Sequence, residues 1–428
     1  MRLSSRISIA LLLLYLAACE GVVSAEPYEF VLTDAEVNLN VETFKKTYAD
    51  IAIGTAAEWS IHKHVLHGGK QEGCEVIAVN KGRIRFVVCP TRGMSILSLT
   101  SLGEQGFPLG WTSPVKEVVH PMFIDLESRG GLGWLDGFNE WMCRCGLEFA
   151  GHPGRDAFTT NTGDRGELAL TLHGKIGNTP ASRVEVSIDA GPPHRLRVKG
   201  VVYERSFHGP KLKLETEVST EIDSLSLEVR DRVVNQSAGA QEYQVIYHTN
   251  YGKPVLEEGS RVIGAFKRLR PMNDHAAKNM NAWDAYKAPT DNFVEEVFLA
   301  EAAADEEGSS TILLQNHNAS RGASITWDAG PLPYVTVWKY TAAEADGYVT
   351  GLEPGTGFPF NRFVERHFGR VPKLGPGDSV EFKLTYAVHP DEQSVSDARQ
   401  RIQAIQRRGA AVITPTAPAV PALGVGSN

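Results

Sequence analysis

The sequence predicts an all-β protein, a large antiparallel β-sandwich with a few short helices. Short runs rich in Val, Ile, Thr, Leu and aromatic residues recur from about Glu58 to His389, and Gly, Pro, Asn and Asp separate them. Few helix-length segments lie between these runs, which favours antiparallel sheets packed face to face over a parallel βαβ fold. The 41 Gly and 23 Pro among 428 residues, of which 42% are hydrophobic, indicate a well-cored chain rich in turns.

The predicted strands follow one another along the chain at short intervals. Most alternate polar and apolar residues between turn formers, as half-buried strands do. In chain order the clearest are "RIRFVV", "ELALTL", "RVEVSID", "LRVKGVVYE", "LKLETEVST", "LSLEVRDRVVN", "QVIYHTN", "YVTVWKY" and "VEFKLTYAV". They do not form an internal repeat, so a single sandwich over residues 58–390 is predicted.

Other segments flank or interrupt this sandwich. Residues 26–57 are predicted to be an N-terminal extension of mixed structure, and 267–308 an insertion with short helical pieces. Residues 391–409 are predicted to be a C-terminal helix, because Ile402 and Ile405 are spaced three apart. The low-complexity tail over 410–428 is predicted to be unfolded.

Residues 1–25 are predicted to be an export signal peptide. They combine Arg2 and Arg6 with an apolar run too short to span a membrane. Two processing sites remain open: cleavage after Ala25, or a lipoprotein cleavage before Cys19 that would leave a lipid anchor on that cysteine. The mature protein is therefore expected to be exported, as a periplasmic or secreted protein or a membrane-anchored lipoprotein.

The charge and the motifs exclude several classes of partner and cofactor. The formal net charge is -8 and no long basic stripe occurs, so nucleic acid is not a predicted partner. No "GxGxxG", "GxxxxGK[ST]" or "HExxH" appears, and no cofactor is predicted. His62 and His64 would share a strand face, followed by His67, but a metal site would need further fixed ligands. No metal is predicted.

The few cysteines cannot form a disulfide scaffold. Cys74 and Cys89 flank a predicted hairpin with its turn at Asn80-Lys81-Gly82, so a bridge between them would be possible in an oxidising compartment. Cys143 and Cys145, in "CRC", are interpreted as two small buried side chains.

Three polar positions follow predicted strands and precede turn formers. His173 follows the run 167–172, and His248 lies two residues before Asn250, so that these two side chains share a strand face. Glu353, in "YVTGLEPGTGFPFNR", is expected at the mouth of a loop that begins with Pro354. We expect the histidines and the carboxylate to meet on a concave sheet face, where they could exchange protons near neutral pH.

Five stretches carry a resemblance to a known family: "PTRGMSI", "GGLGWLDGFNEWMCRCGLE", "LHGKIGNTPA", "YHTNYGKPVLEEG" and "GLEPGTGF". From about residue 60 to 389 the chain resembles the DUF4432 family, which is related to aldose 1-epimerases within the galactose mutarotase-like superfamily. The resemblance implies a supersandwich fold. It also implies that Glu353 is the base on the anomeric hydroxyl, His248 the acid on the ring oxygen and His173 an assisting donor. A clean copy of the mutarotase stretch with a second carboxylate is missing.

Further residues are predicted to bind a small-molecule carbohydrate. Aromatic faces and carboxylates in the Gly-rich stretch "GGLGWLDGFNEW" suit sugar rings and hydroxyls. Arg92 could hold hydroxyls or a uronate carboxylate, or could instead form an ion pair that ties its loop down. The full set of substrate-binding candidates is Arg92, Trp134, Asp136, Asn139, Glu140, Arg144, Asn178, Asn250 and Lys339.

The function expected from the resemblance is that of an exported, carbohydrate-binding, aldose 1-epimerase-like isomerase, which opens a sugar ring by acid–base catalysis and interconverts its anomers. One alternative is a lyase or hydrolase acting on an oxidised sugar or uronate, with a histidine or a tyrosine such as Tyr247 abstracting a carbon-bound proton. Another is a carbohydrate-binding protein without catalysis.

Overall fold

The structure is a computed structural model that describes residues 26–51, 53 and 57–421. The predicted signal peptide over 1–25, the lipid anchor at Cys19 and the end of the tail, 422–428, lie outside these described residues. Within them, no helix is both long enough and apolar enough to cross a membrane.

Two large sheets confirm the predicted β-sandwich. The strands are, in chain order, β1 (Tyr28–Asp34), β2 (Leu39–Asn40), β3 (Phe44–Thr47), β4 (Ser60–Val65), β5 (Glu75–Asn80), β6 (Ile84–Cys89), β7 (Ser95–Ser101), β8 (Met142–Leu147), β9 (Gly154–Thr159), β10 (Arg165–Leu170), β11 (Arg183–Ile188), β12 (Leu196–Arg205), β13 (Lys211–Thr220), β14 (Ser226–Asn235), β15 (Gln241–Glu242), β16 (Gln244–Tyr251), β17 (Arg261–Gly264), β18 (Phe266–Pro271), β19 (Glu296–Ala302), β20 (Ser309–Gln315), β21 (Gly322–Asp328), β22 (Tyr334–Tyr340), β23 (Val349–Gly355), β24 (Lys373–Leu374), β25 (Ser379–His389) and β26 (Val412–Ile413). One sheet has ten strands, in the order β17-β20-β21-β25-β14-β13-β12-β11-β1-β2. The other has twelve, in the order β26-β18-β19-β22-β23-β16-β8-β7-β6-β5-β4-β3.

The hydrophobic core lies between the inner faces of the two sheets. In β12 and β13 buried and partly exposed residues alternate, and Val198 and Leu214 point into the core. Phe86 joins them from the other sheet. By contrast, β16 and β23 are buried along their whole length, because residues such as Trp134 and Phe138 also cover the outer face of the twelve-stranded sheet. This covered outer face holds the candidate site.

Four α-helices occur among the described residues, and they are peripheral. They are α1 (Ser128–Gly131), α2 (Asp274–Ala277), α3 (Arg362–His367) and α4 (Glu392–Gln406). The side chain of Asp391 accepts a hydrogen bond from the Ser394 backbone N–H and caps α4. Ile402 and Ile405 are buried, so the helix lies within the range predicted for it and packs through the face that the spacing indicated.

The flanking segments are more ordered than the sequence predicted. Within 26–57, β1 pairs with β11 and β3 pairs with β4, so this segment adds strands to both sheets. In the 267–308 region, α2 is accompanied by β18 and β19, which belong to the twelve-stranded sheet. The tail was predicted to be unfolded, but its β26 runs parallel to β18, and backbone pairing supplies the order that composition did not indicate.

The predicted hairpin at β5 and β6 is present, but the disulfide is not. Cys74 and Cys89 are both free and buried. Ile77 lies opposite Val88, and this register puts Val76, not Cys74, opposite Cys89. The Cys74 thiol instead donates to the Val118 carbonyl. Cys143 and Cys145 are also free and buried, as interpreted from the sequence.

Candidate active site

A pocket of about 690 Å³ opens on the outer face of the twelve-stranded sheet. Its walls come from β16, β22 and β23 and from the segment around Trp134 that precedes β8. His173, His248 and Glu353, the three predicted catalytic residues, all line this pocket. The structure thus brings together three side chains that are far apart in the sequence.

The distances within this group suit proton exchange. His248 Nε2 lies 3.3 Å from Glu353 Oε1, and the rings of His248 and His173 have centroids 5.2 Å apart. Oε1 of Glu353 has no hydrogen-bond partner, although the side chain is only 2% exposed. A buried carboxylate oxygen without a partner beside an imidazole is available to a ligand that enters the pocket.

His248 is held in one orientation by its own strand. Along β16, His248 and Asn250 share a face, as predicted, and Nδ1 lies 2.9 Å from the Asn250 side-chain oxygen. The Asn250 amide donates to the Glu140 carbonyl at 3.1 Å, which leaves its oxygen to accept from the imidazole. Nδ1 therefore carries a hydrogen, and Nε2 faces Glu353 with its lone pair when the ring is neutral. Asn250 is a positioning residue and does not line the pocket.

Glu353 lies in a strand and not at the mouth of a loop. β23 continues through Pro354 to Gly355, and Glu353 lies opposite Thr336 of β22. Pairing with β22 and β16 on its two sides keeps the segment extended despite its turn-forming composition. The carboxylate folds back over Gly351, where a Cβ atom would lie 2.4 Å from Oε1, so any larger residue there would displace the carboxylate.

His173 reaches the pocket from a turn and not from the end of a strand. The strand β10 stops at Leu170 and pairs only with β9, outside the large sheets. His173 has a φ of 60°. Its ring is fixed by Nδ1, which lies 3.0 Å from the Ala150 carbonyl, and by an edge contact with Trp134 at 4.7 Å.

The surroundings shift the pKa values of all three groups. Burial raises the pKa of Glu353 to about 8, although the charge of His173 opposes this shift. Burial, followed by the charge of His173, lowers the pKa of His248 well below its ordinary value. Burial also disfavours charge on His173, but contact with Cys145, the Ala150 carbonyl and Glu353 outweigh it and raise the pKa to about 9. At neutral pH, Glu353 and His248 therefore hold one proton between them.

Several predicted binding residues do not line the pocket, because their charges are paired inside the fold. Arg92 and Glu140 form an ion pair at 2.6 Å and are each 1% exposed, which is the alternative interpretation of Arg92. Arg144 points between the sheets, and Lys339 lies 3.4 Å from the Glu296 carboxylate. A buried charge requires a partner of opposite sign. Because these side chains are already paired inside the fold, their charges are not available to a sugar.

Of the remaining predicted residues, one lines the pocket and three do not. Trp134 lines the pocket, as predicted. Asp136 is turned outward to Arg129. Asn139 donates to backbone carbonyls of the preceding loop, and the side-chain amide of Asn178 is buried and does not line the pocket.

Tyr247 cannot serve the lyase alternative in the way the sequence suggested. It precedes His248 on β16 and therefore points to the opposite face of the sheet. Its hydroxyl donates to Asp231 at 2.8 Å in the core between the two sheets. A substrate in the pocket would not reach it.

Sequence reasoning missed most side chains of the pocket wall, among them His152, Glu295, Trp111 and Trp338. Glu295 brings a carboxylate to the pocket and accepts a hydrogen bond from the Trp338 indole at 2.8 Å. Burial and the charge of His173 lower the pKa of His152 to about 4, so this imidazole is neutral at working pH. Trp338 had a usable signal, as did Tyr340, since both share a face with Thr336 along a predicted strand.

His62 and His64 share a strand face, with ring centroids 4.9 Å apart. His67 is turned away and contacts Glu72. Among the described residues, no group of three or more His, Cys, Asp or Glu side chains is arranged to hold a metal ion.

The sandwich and the position of the pocket define a galactose mutarotase-like fold. The chain belongs to the DUF4432 family, described as a domain of unknown function, whose sequence model matches residues 71–388. No curated protein matches the chain.

Solved structures agree with this fold. The crystal structure of "a putative aldose 1-epimerase" from Klebsiella pneumoniae is 39% identical, with a TM-score of 0.85, and the match covers 92% of this chain and 100% of that one. A galactose mutarotase-like protein from Clostridium acetobutylicum is 14% identical, with a TM-score of 0.52 over 82% of this chain and 99% of that one. A galactose mutarotase related enzyme from Lactobacillus acidophilus is also 14% identical, with a TM-score of 0.50 over 73% and 96%. The last two show the fold alone.

Proposed function

We propose that the protein is an aldose 1-epimerase-like isomerase that interconverts the anomers of a sugar. The observation that supports this most directly is the pair formed by Glu353 Oε1 and His248 Nε2, 3.3 Å apart on the wall of an open pocket. One group can take a proton while the other gives one, at two neighbouring oxygen atoms of the same ligand.

In the resting pair the shared proton lies on Glu353, as the two pKa shifts require, and the proposed reaction begins when this proton moves to His248 and leaves Glu353 ionised. Glu353 takes the proton of the anomeric hydroxyl while His248 gives its proton to the ring oxygen. The bond between C1 and the ring oxygen breaks, and a carbonyl forms at C1. Rotation about the C1–C2 bond followed by the reverse transfers gives the other anomer, and the proton count of the pair is restored.

Neighbouring groups support this chemistry. The raised pKa of His173 makes it a cation at neutral pH, and its charge favours the ionised form of Glu353. Glu295 supplies the second carboxylate that the sequence pattern lacked, in a position to accept hydrogen bonds from sugar hydroxyls. The aromatic rings of Trp134 and Trp338 suit the apolar faces of a sugar ring.

The substitution Glu353→Gln tests the mechanism. It should lower the rate of anomer interconversion by about 10²- to 10⁴-fold, because proton transfers of this kind contribute that much. The rate would be followed by NMR on freshly dissolved sugars, and circular dichroism would confirm the fold. Glu381→Gln, on the exposed face of the other sheet, is the matched control and should leave the rate unchanged. An active Glu353→Gln protein would rule out this mechanism.

The uronate lyase or hydrolase alternative has less support. The charge of His173 acts on Glu353, and no lysine or arginine among the described residues lines the pocket to neutralise a uronate carboxylate. Appearance of an unsaturated, ultraviolet-absorbing product from a polysaccharide would favour it over the isomerase.

We also propose that the protein acts outside the cytoplasm, on the basis of the export signal peptide predicted from the sequence of residues 1–25. Cell fractionation and the mass of the mature N-terminus would test this proposal. A diacylglycerol on Cys19 would identify a lipoprotein, whereas a free N-terminus after Ala25 would identify a secreted or periplasmic protein.

A further inference from the structure

The part of the pocket wall formed by β22 and β23, here called the floor, is longer than one sugar ring. Along it, Thr336 lies opposite Glu353 and Tyr340 lies opposite Val349. All four of these residues line the pocket. Four residues along a strand span about 13 Å, so a pyranose held at Glu353 leaves the far end of the floor uncovered.

Two series of aromatic rings lead from His248 towards that far end. In the first, the ring centroids of His248 and Trp338 are 5.5 Å apart, and Trp338 stacks on Tyr340 with ring centroids 5.9 Å apart. In the second, the ring centroid of Phe138 lies 5.3 Å from that of His248 and 4.9 Å from that of Trp111. Aromatic rings on a pocket wall are good partners for the apolar C–H faces of sugars.

A hydrogen bond and close packing hold the side chains at the outer end of the pocket in place. Trp111 donates its indole N–H to the Glu140 carbonyl at 3.1 Å, which fixes the ring. It packs against Gly347, where a Cβ atom would lie 2.8 Å from Cζ3 of the indole. The neighbouring Asp346 lines the pocket, and its carboxylate can accept hydrogen bonds from hydroxyl groups. The outer end thus offers aromatic faces together with an acceptor, as the inner end does.

We infer that this pocket takes an uncharged reducing disaccharide or longer oligosaccharide, with the reducing-end ring at Glu353 and His248 and the next ring against Trp111 and Tyr340. The inference rests on the proposed function, because it assigns the reducing end to the proton-exchanging pair. The charge requirement follows from the wall, where Glu295 and Asp346 bring two carboxylates, the charge of His173 acts on Glu353, and no lysine or arginine of the described residues is present.

The experiment compares disaccharides with the monosaccharides at their reducing ends. Maltose, cellobiose and lactose would be tested against glucose, with anomer interconversion followed by NMR. At least one disaccharide should show about tenfold higher kcat/KM than glucose, and Tyr340→Ala should lower this ratio about tenfold, since one aromatic contact is worth about that factor. The matched control is Tyr334→Ala, on the same strand but outside the pocket, which should leave the ratio unchanged.

Binding separates this inference from the proposed function. Calorimetric titration of the Glu353→Gln protein with the same sugars reports affinity without turnover. Tighter binding of a disaccharide than of glucose, with this preference lost when Tyr340→Ala is added to the Glu353→Gln protein, would support the two-ring site even if no anomers were interconverted. Turnover of glucose and the disaccharides with equal kcat/KM, or equal loss of both on Tyr340→Ala, would overturn the two-ring site and leave the isomerase intact. Absence of both binding and turnover would overturn both.

Discussion

The proton held by Glu353 and His248 predicts how activity depends on pH. Burial raises the pKa of Glu353 to about 8 and lowers that of His248 well below its ordinary value, so the pair holds one proton between these limits. Above pH 8 the pair loses this proton, and none remains for the ring oxygen. We expect kcat/KM to be level around neutral pH and to fall as the pH rises through about 8. A profile of kcat/KM from pH 6 to 10 that stays level through 8 would contradict this prediction.

The burial of Glu353 should also lower the free energy of unfolding at neutral pH. The folded protein keeps the carboxyl protonated up to a pKa of about 8, whereas the unfolded chain ionises it near 4.5. Unfolding is therefore increasingly favoured as the pH rises from about 4.5 to 8. At pH 7 the cost is about 3 kcal/mol in the free energy of unfolding.

Glu353→Gln should accordingly stabilise the protein, by an amount that is small at pH 5 and grows towards pH 8. Urea denaturation of both proteins at the two pH values would measure it. An equal difference at pH 5 and pH 8 would show that the ionisation of Glu353 is not its cause. Loss of activity together with a gain in stability is the trade-off expected of a catalytic carboxyl that is kept buried.

At the level of the strand, Gly351 gives Glu353 the room to fold back along β23. In Gly351→Ala the added methyl group would lie 2.4 Å from Oε1 and 3.2 Å from Trp338 Cε3. The carboxylate is the end of a flexible side chain and can turn away from the added methyl group, so we expect little change in stability. We expect a loss of about 10²-fold in kcat/KM, because reacting groups tolerate little displacement. Enzyme assays and thermal melts of the two proteins would measure both quantities.

Gly239→Ala, in the turn between β14 and β15, is the control for the substitution itself, since nothing lies within 4 Å of the added atom. It should change neither quantity appreciably. Full activity in Gly351→Ala would mean that the carboxylate does not work from the position seen here.

Across the whole molecule, one buried ion pair connects the two sheets behind the site. Arg144 of β8 lies in the twelve-stranded sheet, and its Nη2 atom lies 2.9 Å from Asp231 of β14 in the ten-stranded sheet. Asp231→Ala would leave the arginine charge buried without a partner and should lower the free energy of unfolding by about 3 to 5 kcal/mol. Chemical denaturation would measure the loss.

Glu344→Ala is the control, because it removes an exposed ion pair with Lys253 that should contribute less than about 1 kcal/mol. Equal effects of the two substitutions would show that the buried pair does not hold the sheets together. Replacement of both Arg144 and Asp231 by apolar residues should recover much of the stability.

The sequence by itself determined the class of fold, the order of the main strands and the three polar residues of the site. These features are local: alternation along β12 or β22 and the polar positions of His173, His248 and Glu353 can all be read within a few residues. The buried ion pairs of Arg92 and Lys339 could not be read in this way, because the partner of each lies more than forty residues away, at Glu140 and Glu296.

Tertiary structure decided which residues meet and which face the pocket. Glu353 lies beside His248 because β23 pairs with β16, a contact between strands about 100 residues apart. Pairing on both sides also kept Pro354 in an extended strand where its composition predicted a turn. The physical reason is that side-chain patterns fix the local conformation, whereas the pairing of distant strands depends on burial gained only when the whole sandwich closes.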